Sequence, residues 1–247
     1  MKRVKLVVAY DGTNYCGWQV QPNGITIEGV LNRELSKLLK EDIVVIGASR
    51  TDSGVHSYGN VAVFDTNARM PAEKISYALN QRLPDDIVVQ NSSEIPLDWH
   101  PRHCNSRKTY EYRILNREFP MPQRRLDTWF VYRKLNIPAM CEAAEQFEGT
   151  HDFKSFCSVN TAVEDTTRTI YSCEVEKDGN DIITIRVTGN GFLYNMVRII
   201  AGTLIRVGGG EMAPDEIPQI LGKKDRTAAG PTAPAHGLTM MGIEYGE

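Results

Sequence analysis

A short segment between two apolar runs carries a carboxylate in a setting suited to chemistry. Residues 50–56 read RTDSGVH, with Arg50 two positions before Asp52 and His56 four positions after it. The apolar runs at 43–46 and 61–64 predict a strand before and a strand after this segment. Asp52 would then lie at the edge of a sheet, within reach of a ligand. Asp-Ser-Gly is also an ordinary turn sequence, in which Asp accepts local backbone hydrogen bonds and Gly supplies a positive φ. A reactive carboxylate and a structural turn are therefore both compatible with these residues.

A catalytic Asp52 would need a cation beside it. A carboxylate acts as a nucleophile or base only when ionised, and burial alone would neutralise it. Arg198 stands in the otherwise apolar stretch 192–207, where a guanidinium needs an acidic partner. Arg50 would point to the same side as Asp52 if the segment is extended. For Arg198, a structural salt bridge to another acid remains the alternative.

Other side chains suggest binding more than catalysis. Tyr110 and Tyr112 alternate along a predicted strand, so they share a face and could stack on an unpaired base, or pack in the core. His56 and the pair His151 and Asp152 have no second His or Cys at ligand spacing, so no metal site is predicted.

The elements that position these residues follow from periodicity. In the first half, Val4, Leu6 and Val8 alternate as a strand, and apolar residues at helical spacing follow Thr26 as an N-cap. Strands are predicted near 43–48 and 58–65, a helix from Pro71, and a strand over 87–95. This βαββαβ order is that of the ferredoxin-like, split βαβ domain.

The second half repeats this order. A strand carries Tyr110, a helix runs from Asn136 to Gly149, two strands join at 178–180, and a buried helix spans 191–207. A short helix at 214–222 and a strand at 238–244 follow. We therefore predict an α+β protein of two ferredoxin-like lobes, 1–104 and 105–247. Their antiparallel sheets would join side by side about a pseudo-two-fold axis, with helices on one face and a basic insertion at 116–134.

Composition narrows the class of protein. The 247 residues carry a net charge of -3, but residues 100–135 hold seven Arg and two Lys against three acids. Such segregation would give one face that attracts a polyanion, although a charge run is commonly just a solvated surface. Five scattered cysteines without a C-x-x-C pair predict reduced thiols in a cytoplasmic protein. No stretch is apolar enough for a membrane helix.

Four motifs resemble, in order, those of the TruA family of tRNA pseudouridine synthases. Residues 50–56 are similar to that family's active-site motif. The others are YDGTNYCGWQ at 10–19, KTYEY at 108–112 and GFLYNMVR at 191–198, with APAHGL at 233–238 near the end. The resemblance therefore covers essentially the whole chain. Departures are Ser49 and Ser53, where Gly and Ala are usual, and His103, where Phe is usual.

The resemblance implies an activity and a site. A uridine in the anticodon stem-loop of tRNA, at positions 38, 39 or 40, would be isomerised to pseudouridine without a cofactor. Asp52 would either attack C1′ of the ribose or remove a ribose proton, with Arg198 as its ionic partner and Tyr110 against the target base. Arg50, Arg102, Arg168 and Leu193 would join Tyr110 in binding substrate. A homodimer is implied as well.

Two other classes of protein are alternatives to a pseudouridine synthase. A catalytically silent RNA-binding protein could keep the fold, although Arg50, Asp52, Tyr110 and Arg198 are all present. A hydrolase using Asp52 with His56 would need a paired geometry that a shared turn makes difficult.

Overall fold

The chain folds into two compact units. The structure, a computed structural model, describes residues 1–159 and 163–246. The first unit comprises Met1–Ser106 and Thr239–Glu247, and the second comprises Arg107–Leu238. The C-terminal segment therefore folds with the first unit, whereas the sequence-based boundary places it in the second lobe.

The first unit is an antiparallel sheet with two helices. Its strands and helices, numbered in chain order, are β1 (Lys2–Tyr10), α1 (Ile27–Leu39), β2 (Ile46–Gly47), β3 (His56–Thr66), α2 (Ala72–Asn80) and β4 (Ile87–Ile95). Strand β1 lies between β4 and β3, and β2 pairs with the far edge of β3. Strand β10 (Leu238–Tyr245) joins β3 in parallel.

Alternation and capping explain these elements. Val4, Leu6 and Val8 of β1 are fully buried, as the period of two predicts. Thr26 caps α1, since its Oγ1 accepts a hydrogen bond from Gly29 N at 3.2 Å. Lys40, with φ of 57°, ends the helix.

In the second unit, strand β9 separates β5 from β8. Its elements are β5 (Ser106–Asn116), β6 (Trp129–Val131), α3 (Ile137–Glu145), β7 (Gly149–Asp152), β8 (Thr167–Lys177), β9 (Ile182–Gly189), α4 (Met196–Gly208) and α5 (Ile217–Lys223). The strand order is β5, β9, β8, β7, all antiparallel, and β6 runs parallel to β5. The predicted α+β class with mostly antiparallel sheet is confirmed. Phe147, Phe153 and Phe156 form an edge-to-face aromatic cluster in this core.

Two predicted elements have different bounds. The strand expected at 43–48 is only Ile46–Gly47, because Ile43 N and Val45 N donate to the side chains of Ser36 and Asn32 on α1. The helix expected at 191–207 begins at Met196, since Asn195 has a left-handed φ of 62°. The basic segment 116–134 contains strand β6, which runs parallel to β5.

Candidate functional site

Asp52 lies in the loop between β2 and β3. Thr51 is buried, Asp52 is half-buried and Arg50 is exposed. Val55 N donates to Asp52 O at 3.2 Å, and Gly54 has the positive φ, 78°, that such a turn uses. The segment is therefore a real turn, and that turn presents a carboxylate that is only partly solvated.

The segment 10–18 holds this loop through hydrogen bonds. Trp18 N donates to Thr51 O at 3.1 Å, and the Tyr10 hydroxyl lies 2.8 Å from Thr51 Oγ1. Ser53 Oγ and Gly54 N both donate to Tyr15 O, at 3.1 and 3.3 Å. These hydrogen bonds fix the loop on both sides of Asp52. The backbone position of Asp52 is therefore set by the end of β1 and the turn after it, some 40 residues earlier in the chain.

Two glycines allow this close approach. A Cβ on Gly12 would lie 2.0 Å from Val55 O, and a Cβ on Gly17 would lie 2.6 Å from Thr51 O. Gly17 also has a φ of 83°. In the sequence these two glycines stand out only as members of the motif at 10–19. Glycines beside aromatic residues in a predicted turn indicate a close backbone contact. Which residues they contact is known only from the tertiary structure.

His56 faces the same segment. Its Nδ1 accepts a hydrogen bond from Gly12 N at 3.1 Å and lies 3.1 Å from Asp11 Oδ1. Burial of the Asp11 carboxylate acts to raise its pKa, but hydrogen bonds from Thr13 and the nearby His56 outweigh it, so the pKa of Asp11 is lowered. The Nδ1 atom of His56 is therefore occupied by residues 11 and 12.

Two of the predicted substrate-binding arginines influence one another within the first unit. Arg102 donates from Nε to Gly47 O at 2.7 Å, at the end of β2. Partial burial, followed by the charge of Arg50, lowers the pKa of Arg102. Like charges held near each other in this way are suited to an anion such as a phosphate.

The second unit carries the aromatic residues that were singled out. Tyr110 on β5 is 8% exposed and meets Phe192 edge to face, with ring centroids 5.2 Å apart. Tyr112 is fully buried, and its hydroxyl donates to Pro234 O at 2.9 Å. Burial raises the pKa of Tyr112 well above its ordinary value. Core packing is therefore the observed role of Tyr112, whereas Tyr110 lies beside the loop that follows β9.

Arg198 lies in the first turn of α4 and is half-buried. Its Nε donates to Ala233 O at 2.7 Å, and its Nη1 donates to Asn195 Oδ1 at 2.6 Å. Ala233 N in turn donates to Arg198 O at 3.1 Å. The guanidinium is thus oriented by the chain before and after the helix, and its charge acts on Tyr112.

The remaining predicted binding residues flank the same loop. Leu193 is 5% exposed, and its carbonyl accepts from Met196 N at 3.0 Å at the start of α4. Arg168 donates from Nη1 to Thr167 O and Asp165 O, at 2.6 and 3.0 Å. The second unit therefore gathers Tyr110, Leu193, Arg168 and Arg198 around residues 190–195, and the first unit gathers Arg50, Asp52 and Arg102.

Two further features bear on the class of protein. Among residues 1–159 and 163–246, no three His, Cys, Asp or Glu side chains converge as metal ligands. In that same part of the chain, no helix has the length and apolar character needed to cross a membrane. All five cysteines are free thiols.

Comparison with known proteins defines the class. Residues 6–103 and 143–246 match the sequence model of the tRNA pseudouridine synthase family. The chain belongs to this family, and its activity is the isomerisation of uridine to pseudouridine in tRNA.

The relatives are similar over their whole length. A protein of Ruminiclostridium cellulolyticum named tRNA pseudouridine synthase A is 49% identical over 245 residues, covering 99% of this chain and 100% of the relative. One from Thermoanaerobacter sp. strain X514, with the same name, has the same identity and coverage. A solved structure, that of a Cbf5-Nop10-Gar1 complex, is 14% identical over 96% of this chain and 47% of its own, with a TM-score of 0.37. That structural likeness is too low to bear on fold or function.

Proposed function

We propose that this enzyme modifies uridines 38, 39 and 40 in the anticodon stem-loop of tRNA, and that Asp52 acts on the ribose of a uridine turned out of the stack. The observation that carries the proposal is the Asp52 loop. It presents a half-buried carboxylate on a turn that residues 10–18 hold from both sides, with Arg50 and Arg102 in the same unit. The full-length resemblance to the TruA family supports the choice of uridines.

The reaction needs little beyond a positioned carboxylate. The N1–C1′ bond of uridine breaks and a C5–C1′ bond forms, while C5 loses a proton and N1 gains one. Substrate and product are isomers, so no electrons enter or leave. Asp52 either attacks C1′, as the carboxylate of a retaining glycosidase does, or removes a ribose proton. Extrusion of the base calls for a stacking side chain and for cations on the RNA backbone.

The other site residues are assigned by the resemblance. Tyr110 would contact the target base and Arg198 would keep the Asp52 carboxylate ionised. Arg50, Arg102, Arg168 and Leu193 would contact the substrate. The half-buried setting of Arg198 and the low exposure of Tyr110 and Leu193 are compatible with roles in a site that excludes water.

Tritium release tests the function directly. An anticodon stem-loop labelled at C5 of uridine loses tritium only when C5 becomes bonded to the ribose. We expect release in proportion to pseudouridine formed at positions 38 to 40. An RNA that binds without releasing tritium would identify the silent RNA-binding alternative. Release from uridines outside the stem-loop would contradict the proposed positions but not the chemistry.

Replacement of Arg198 tests its assigned role. In Arg198→Met, loss of the cation favours the protonated Asp52, so the acidic limb of the pH–rate profile should move up by about one pH unit. Arg198→Lys keeps the charge and should retain part of the activity. The profile of kcat against pH is the measurement. A fully active Arg198→Met with an unmoved acidic limb would make Arg50 the better candidate for the partner.

The basic segment 116–134 is proposed to contact phosphates. Arg125 donates to Pro122 O at 3.1 Å, and Arg124 is paired with the half-buried Asp127 at 2.9 Å. Both arginines are exposed at the short turn at 122–124. Reversal of both arginines to Glu should weaken tRNA binding by at least about tenfold and lower its salt slope by about two. Lys74 and Arg82 of the first unit, reversed together, are the matched control. An unchanged slope in the first variant would exclude this contact.

Three further properties rest on the resemblance and the element order. We propose a homodimer, measured by light scattering at assay concentrations, and a cytoplasmic location. Each unit is proposed to be a variant of the ferredoxin-like fold. The βαββαβ order of the first unit and the neighbours of β1 and β3 support that description.

A further inference from the structure

The chain makes a tight turn at residues 100–103, near the point where it leaves the first unit. His103 N donates to His100 O at 3.1 Å, which closes a four-residue turn. Pro101 stands at the second position of this turn, where its fixed φ is favoured, and Arg102 stands at the third. The turn therefore carries at its tip one of the arginines that the resemblance assigns to the substrate.

The side chain of His100 fixes the backbone of Arg102. Its Nδ1 accepts a hydrogen bond from Arg102 N at 3.2 Å. Burial, followed by the charges of His103, Arg102 and Arg3, lowers the pKa of His100. The imidazole is therefore neutral at pH 7, and a neutral imidazole has the lone pair that this hydrogen bond requires.

The ring of His103 lies against the ring of His100. The two ring centroids are 3.9 Å apart and the planes are inclined by 18°, which is a stacked arrangement. His100 is half-buried and His103 is exposed, so His103 is the outer ring of the stack. The stack restricts rotation of the inner ring and so keeps its Nδ1 directed at Arg102 N. A phenylalanine, which the TruA family usually has at position 103, would supply a stacking ring as well.

Other contacts hold the base of the turn to the sheet of the first unit. Arg3 Nη1 donates to Trp99 O at 3.0 Å, and the Tyr245 hydroxyl donates to Pro101 O at 3.2 Å. The rings of Trp99 and Tyr245 meet edge to face, with centroids 4.9 Å apart. The base of the turn is therefore fixed to β1 and β10, and the imidazole contact sets its tip.

The guanidinium of Arg102 has one occupied edge and one free edge. Its Nε donates to Gly47 O at 2.7 Å. Within residues 1–159 and 163–246, neither Nη1 nor Nη2 of Arg102 makes a hydrogen bond or an ion pair. Two free donor groups on one planar cation suit two oxygens of a phosphate, provided that the cation is held in one direction.

Arg102 lies near one further cation and one acid. The charge of Arg50 lowers the pKa of Arg102, and the charge of Glu28 raises it. The carboxylate of Glu28 accepts a hydrogen bond from Val20 N at 2.9 Å, so it has a partner of its own. Arg50 precedes Asp52 by two residues. A phosphate bound by the two arginines would therefore lie beside the Asp52 loop.

We propose that His100 and His103 are positioning residues that hold Arg102 for a phosphate of the tRNA beside the Asp52 loop, an inference that rests on the proposed function. His100 fixes the backbone of the arginine, and His103 keeps the imidazole of His100 in place. Both act through Arg102 and not on the reacting uridine. They should therefore determine the affinity for tRNA and leave the bond-making steps unchanged.

Binding of an unmodified tRNA transcript by the full chain tests the role of His100. His100→Ala should raise Kd about tenfold, because the fork of Arg102 is no longer held in one direction, and kcat at saturating tRNA should stay within about twofold. His100→Asn supplies an amide oxygen that can accept from the backbone N–H two residues later. That variant should recover most of the affinity.

A double-mutant cycle shows whether His100 acts through Arg102. Arg102→Ala should weaken tRNA binding by at least about tenfold, since a charged contact with a phosphate is lost. His100→Ala should then cause no further loss in the Arg102→Ala background. Full additivity of the two substitutions, or an Arg102→Ala variant that binds as the wild type does, would overturn the proposal.

Substitutions of His103 test the stack. His103→Phe keeps a ring and should bind tRNA as the wild type does, whereas His103→Ala should raise Kd about threefold. Equal losses in these two variants would refute the stacking role. Thr66→Ala is the matched control, because Thr66 Oγ1 also accepts from a backbone N–H two residues later, that of Ala68 at 3.0 Å, but at the far end of β3 from the Asp52 loop. It should keep the wild-type Kd even if its unfolding temperature falls.

The binding cycle and the tritium assay can fail independently. A wild-type chain that binds tRNA but forms no pseudouridine would refute the proposed function, and the cycle between His100 and Arg102 would still decide the positioning role. A His100→Ala variant that is folded by thermal unfolding and binds tRNA as tightly as the wild type would overturn the positioning role alone.

Discussion

Asp52→Asn is expected to abolish pseudouridine formation, with a fall in kcat of at least about a thousandfold. The amide is nearly isosteric with the carboxylate but is neither a nucleophile nor a base. The hydrogen bonds that hold the loop involve the backbone and neighbouring side chains of residues 51, 53 and 54, so the turn should survive. Tritium release under single-turnover conditions measures the loss.

Measurements of tRNA affinity and of thermal unfolding separate a loss of catalysis from a structural effect of the substitution. Asp52→Asn should bind tRNA with the affinity of the wild type and unfold at nearly the same temperature. Asp42→Asn, an exposed acid between α1 and β2, serves as the control and should be fully active. Activity of Asp52→Asn within tenfold of the wild type would rule out the catalytic assignment of this carboxylate.

Gly17→Ala is expected to lower kcat by about a hundredfold although the substituted residue contributes no chemistry. The new Cβ would lie 2.6 Å from Thr51 O and 3.1 Å from the carbonyl carbon of Asp52, so the loop must move. A displacement approaching 1 Å of a catalytic group can cost about two orders of magnitude in rate. The φ of 83° adds backbone strain for alanine. Single-turnover rates and thermal unfolding together are the measurement.

Two further variants show whether the steric contact or the backbone strain lowers kcat in Gly17→Ala. Gly17→Asn tolerates the left-handed conformation but retains a Cβ, so it should remain impaired if contact with Thr51 O dominates. Gly179→Ala, where no atom lies within 4 Å of the new Cβ, should behave as the wild type. A Gly17→Ala enzyme with wild-type kcat would mean that the loop is not set by residues 10–18.

The regular elements of the first unit follow from the sequence because their signals are local. The alternation of Val4, Leu6 and Val8 and the cap at Thr26 depend on residues within a few positions of one another. The predicted bounds failed where backbone groups find distant or unusual partners. Ile43 N bonds to Ser36 Oγ instead of a neighbouring strand, and the left-handed Asn195 delays the start of α4.

The sequence by itself determined the family, the candidate carboxylate Asp52 and the class of reaction, because these depend on residue types in short motifs. Only the tertiary structure decided how the loop is held. The closeness of Gly12 and Gly17 to residues 51 and 55 is a contact between distant parts of the chain, which spacing does not encode. The same holds for the bulge in β8 between Ile170 and Ser172, since a bulge depends on the register between two strands and not on the composition of either.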